Sequence, residues 1–71
     1  MAIEIPSDEQ VVAALRELGN GATALVLCKA LIAAGHPVRQ SQIAIQRAVE
    51  RGRILVHEDW TLSVSQEAIA A

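Results

Sequence analysis

Aromatic side chains are almost missing from this chain: Trp60 stands alone, with no Phe and no Tyr. A core must therefore be built from aliphatic groups, and thirteen Ala with seven each of Val, Leu and Ile supply them. Cysteine is as scarce. Cys28 has no second thiol to pair with, which excludes an intrachain disulfide. With only His36 and His57 beside it, Cys28 cannot complete the roughly four ligands of a structural zinc site. No apolar run approaches the roughly 20 residues needed to cross a bilayer. The opening MAIEIPSDEQ puts Glu4 where a secretory leader is basic. The expectation is a cytoplasmic protein with a reduced, buried Cys28 and no cofactor. Catalysis is not expected either. Glu58 and Asp59 are adjacent turn residues whose carboxyls diverge, the histidines share no carboxylate at ligand spacing, and Gly19-Asn20-Gly21 reads as a helix stop and not a phosphate loop.

What is present is a 71-residue chain, 52 % apolar, with a net charge of −2. That length makes one domain, residues 1–71, with an ordered core over about 7–65 and a short tail over 66–71. So small a domain has a thin stability margin and leans on close helix packing or on a partner copy.

Helical periodicity begins after Pro6. Ser7 with Gln10 forms a capping box, Asp8 and Glu9 suit the positive end of a helix, and Val11, Leu15 and Leu18 recur at i, i+4, i+7. The first helix is expected from Asp8 to Leu18. Thr23 caps a second, from Ala24 to Ala34, with Gly35 as its stop. Lys29 is its only polar residue. Leu27, Cys28, Leu31 and Ala34 share one face, while Leu25 and Ile32 lie away from it, so Leu25, Lys29 and Ile32 are candidates for a dimer surface. A third helix is expected from about Gln40 to Arg51, with Arg39 or Ser41 near its start, Ile45, Ala48 and Val49 as its inward stripe and Ile43 facing away. The period then becomes that of strands. Ile54, Val56, Trp60, Leu62 and Val64 share one face of a hairpin if Val56 pairs with Trp60 across a three-residue loop, His57-Glu58-Asp59. In that register Trp60 is the largest plug of the core, and Arg53, Leu55, His57, Thr61 and Ser63 face out.

Charge is unevenly spread. Residues 36–53 hold Arg39, Arg47, Arg51 and Arg53 against Glu50, a net of +3. Residues 1–20 carry Glu4, Asp8, Glu9 and Glu17 against Arg16, a net of −3. The hairpin tip, His57-Glu58-Asp59, is acidic.

Three helices followed by a hairpin, and in particular the stretch AIQRAVERGRILVHEDWTLS, resemble the winged helix-turn-helix family over roughly Ser7 to Ser65. Ile45, Ala48, Val49, Gly52, Ile54, Trp60 and Leu62 carry the match. The turn AGHPVRQSQ departs from it, with His36-Pro37 added and Arg39 where a capping residue is usual. The resemblance implies a mainly α fold with a small β-hairpin in the order α-α-α-β-β, whose third helix enters the major groove of double-stranded DNA. Arg reads guanine and Gln reads adenine, and an apolar side chain rests on a thymine methyl. The implied contacts are Gln40, Gln42, Ile43, Gln46 and Arg47 to bases, and Arg39, Arg51 and Arg53 to phosphates. The expected function is a transcriptional regulator acting as a homodimer. The alternative is the same fold used as a protein-interaction or dimerisation module, since a fold does not by itself choose a function.

Overall fold

A computed structural model describes residues 5–19 and 21–65. The proposed tail over 66–71 lies outside them. The element order is α1 (Asp8–Leu18), α2 (Ala24–Ala33), α3 (Val38–Glu50), β1 (Ile54–Val56) and β2 (Leu62–Val64). The α-α-α-β-β layout expected from periodicity is therefore the fold.

Local chemistry sets the helix ends. The Ser7 hydroxyl accepts from the Gln10 amide (3.2 Å), and the Gln10 side chain accepts from the Ser7 amide (2.8 Å), the reciprocal box that starts α1. Thr23 Oγ1 accepts from the Val26 amide at the start of α2. α2 and α3 end alike, with a residue beyond each cap in the left-handed region, Gly35 at φ 106° and Gly52 at φ 75°. There His36 N–H donates to Leu31 O (3.1 Å), and Arg53 N–H donates to Ala48 O (2.9 Å). These bonds satisfy helix-end carbonyls that would otherwise lack partners. The second of these turns aims β1 back along the core. Replacing the Ser7 hydroxyl by the methyl of Ala is expected to cost about 1 kcal/mol, read as a lower urea midpoint at unchanged slope.

The core gathers Val11 and Leu15 from α1, Leu27 and Leu31 from α2, and Ala44 and Ala48 from α3, closed by Ile54 and Leu62 of the hairpin. Aliphatic groups and the Cys28 thiol fill it, with no aromatic ring. Several expectations need correction here. α3 begins at Val38, two residues earlier than expected, with Pro37 at its N-cap and no side-chain cap. Proline suits a helix start because the amide it lacks would be unpaired there. Ser41 does not cap: it is fully buried, and its hydroxyl donates back to Pro37 O (2.9 Å). Ala34, assigned to the buried face of α2, is the exposed C-cap.

The largest correction concerns the hairpin. The register is Ile54↔Val64, Leu55↔Ser63 and Val56↔Leu62, two residues from the expected one. A shift of two preserves sidedness, so Ile54 and Leu62 still enter the core. Trp60 does not. His57 N–H donates to Thr61 O (2.9 Å) and Trp60 N–H donates to His57 O (2.9 Å), so the loop is Glu58-Asp59-Trp60. Trp60 takes its third position at φ 67°, 75 % exposed. One further pairing was not foreseen: Thr23 bridges Thr61, and Leu62 N–H donates to Ala22 O (2.7 Å). It ties the start of α2 to the hairpin.

Candidate functional site

That tie creates a groove. The start of α2, one flank of α3 and the hairpin enclose two adjoining hollows of about 320 and 360 Å³, which share Ala24, Leu25 and Ile45. On α3 the flank is formed by Gln42, Ile45 and Val49, at i, i+3, i+7. Val38, four residues before Gln42, extends the same line and is exposed. On the hairpin side stand Val56 and Trp60. Leu25, 65 % exposed, overhangs both hollows. The lining is almost entirely aliphatic apart from Trp60, Thr23, Gln42 and Gln46. Cys28 lies buried at its floor.

Trp60 is the only residue other than glycine at positive φ among the described residues. The third position of a three-residue hairpin loop is left-handed and normally suits Gly, because an L-residue with a Cβ meets the following carbonyl there at a cost of roughly 1–2 kcal/mol. Asp59 braces the turn. Its Oδ1 accepts from the Thr61 hydroxyl (2.6 Å) and from the Thr61 amide (3.2 Å). These two bonds, the hydroxyl's first, hold the carboxyl below its ordinary value of 3.8. A depressed carboxylate lends the turn stability that is present above its unfolded value and lost as pH falls through the lower folded one. In a ¹³C-detected acid titration the Asp59 carboxyl is therefore expected to have a midpoint below 3.8, moving back toward it in Thr61→Val.

The residues picked out on α3 divide into two groups. Arg39, Gln42, Gln46 and Arg47 are exposed, and none takes part in a side-chain hydrogen bond or ion pair among the described residues. Gln40 and Ile43 are half-buried, so Ile43 is less open than its position away from the stripe suggests. Arg51 and Arg53 are bound within the chain. Arg51 Nη1 meets Asp8 Oδ2 at 3.0 Å, and Arg53 Nη1 meets Glu9 Oε1 at 3.3 Å and Asp8 Oδ2 at 3.9 Å. The two acids that begin α1 thus do double duty, at the helix dipole and against the end of α3. The sequence showed only the opposite net charges of the two segments; the packing of α1 on α3 brings them together. On α2, Leu25, Lys29 and Ile32 are exposed at i, i+4, i+7.

What sequence reasoning missed is the groove. Its signals were the surplus apolar surface of α2, already read as a contact surface, and Ile45 and Val49, which had been counted only as the inward stripe of α3. Comparison of the chain with protein-family models, with curated proteins and with solved structures finds no match. The protein is defined by its architecture: a small, mostly helical domain of three helices and an antiparallel hairpin, with an apolar groove beside the third helix. Among the described residues no helix is long and apolar enough to cross a membrane.

Proposed function

We infer that the chain is a winged helix-turn-helix module that docks a protein chain in the groove between α2, α3 and the hairpin. The observation that carries this reading is Trp60. Its ring stands three-quarters in water on the groove's rim, on a backbone conformation that favours glycine. Folding gains nothing from either feature, and strain of this kind persists where it serves a contact. Exposed Trp beside an aliphatic hollow is the usual make-up of an interface anchor. Electrostatics point the same way. The hairpin tip presents Glu58 and Asp59, which repel phosphates, and two of the four arginines of residues 36–53 are already paired with Asp8 and Glu9.

The test is a photo-crosslinking amino acid placed at Leu25 in cells, with the same group at exposed Arg16 on α1 as control. Protein adducts that form from position 25, not from 16, and that vanish in Trp60→Gly are expected. Adducts to DNA alone, or none sensitive to Trp60, would overturn the reading.

A second reading, a DNA-binding transcriptional regulator, is favoured by one observation: Arg39, Gln42, Gln46 and Arg47 form an exposed, unpaired edge on α3. With two free cations, the logarithm of affinity for mixed duplex should fall against that of salt with a slope of about −2 per chain. Arg39→Ala with Arg47→Ala should abolish that dependence. Asp8→Asn with Glu9→Gln, which releases Arg51 and Arg53, should steepen it. A filter-binding series at low and moderate salt decides the matter, and absence of binding at low salt removes this reading.

A further inference from the structure

The groove has two electrically different ends. At the hairpin end, beyond Val56 and Trp60, lie the exposed carboxylates of Glu58 and Asp59. Moving away from the hairpin along α3, Val49 gives way to Gln46, Gln42 and then Arg39, roughly 15 Å on at 1.5 Å per residue. Along α2, Lys29 follows Leu25 by one turn on the same face. Arg39 and Lys29, both exposed and unpaired among the described residues, therefore mark the far end. Between the two ends the surface is aliphatic apart from Trp60 and two amides. A strip that is acidic at one end, apolar in the middle and cationic at the other is complementary to itself when turned by 180°. An isologous two-fold contact requires that property.

We propose that the occupant of the groove is a second copy of this chain, antiparallel across a two-fold axis, with Trp60 and Leu25 packing at the centre and Glu58 of each copy facing Lys29 and Arg39 of the other. The proposal rests on reading the groove as a protein-docking surface and adds the identity of the partner. With few aromatic anchors and charged ends that give specificity and rate more than affinity, the pair should be reversible, with a dissociation constant on the order of 10 μM. Exchange between copies brings opposite charges together at both ends. It explains why one small domain keeps an acidic wing and a cationic flank on the same face.

Sedimentation velocity on the purified chain, from low micromolar to millimolar, reads the pairing directly. Trp60, the sole Trp, reports burial of the groove by a shift of its emission to shorter wavelength over the same range. Glu58→Lys alone, and Lys29→Glu with Arg39→Glu, should each weaken pairing about tenfold by setting like charges opposite one another. An equimolar mixture of the two variants should restore it, because both ends of the mixed pair are then complementary. All three positions are exposed, and circular dichroism verifies the fold. A wild-type chain that stays monomeric at millimolar concentration overturns the proposal. So does a dimer indifferent to both variants, which places the contact elsewhere. Neither result touches the crosslinking test, in which a groove adduct to a different protein would leave the docking reading standing without this partner.

Discussion

Leu27→Ala is expected to remove about half of the domain's stability. Leu27 is fully buried in a core cluster that draws on all three helices and the hairpin. Truncating a buried Leu removes its transfer free energy and leaves a cavity, for a loss of about 2–5 kcal/mol. A larger protein absorbs such a loss. Here the whole stability, at about 0.05–0.15 kcal/mol per residue, comes to roughly 4–10 kcal/mol. No aromatic ring is present in the core to shift into the gap, and the neighbours at the centre of α3 are Ala44 and Ala48, which cannot reach further. Urea denaturation followed by helical circular dichroism should place the midpoint at about half the wild-type value. A midpoint within a tenth of wild type would mean that the core is not organised around α2.

The second expectation runs the other way. Trp60→Gly should make the domain more stable than Trp60→Ala, because both changes delete the same ring and only glycine is relieved of the roughly 1–2 kcal/mol that a Cβ costs at φ 67°. The gain is partly offset, since glycine also enlarges the unfolded ensemble by about 0.4–1 kcal/mol. Little burial is lost in either variant, for three-quarters of the ring was already in water. Yet both variants should lose the groove contact, the stabilised one included. A Trp60→Gly chain that is the more stable of the two variants yet equally unable to pair shows that Trp60 is kept for binding. Thermal unfolding of the two variants, alongside their sedimentation, separates the effects. A Trp60→Gly chain less stable than Trp60→Ala would show that the backbone at Trp60 is unstrained, leaving only the unfolded-state cost of glycine.

How much could be read in advance varied with the range of the interaction involved. The capping box at Ser7 and Gln10, the Thr23 cap and the glycine stops at Gly35 and Gly52 are contacts between residues within a few positions of one another, and each stands where the pattern put it. The inward stripe of α3 was legible for the same reason: Ile45 and Ala48 are buried and Val49 packs at the margin. The start of α3 was placed two residues late because no capping side chain marks it: Pro37 stands at the cap position and makes no side-chain cap bond. Trp60 was placed in the core on hydrophobicity. In a glycine-like loop position no local preference announces a tryptophan, so the register slipped by one pair.

Sidedness survived that slip, which is why Ile54 and Leu62 were identified correctly although their partners were not. The ion pairs of Arg51 and Arg53 were beyond reach, as their partners lie more than forty residues away. The amino-acid order alone determined the helices, their ends, the buried stripe and the two-sided hairpin, because periodicity and capping act between near neighbours. Only the tertiary structure decided which cations remain free, where the tryptophan stands and that an apolar groove opens beside α3. Those depend on how α1 meets α3 and how Ala22 and Thr23 pair with the hairpin, contacts between distant segments that no short window of sequence contains.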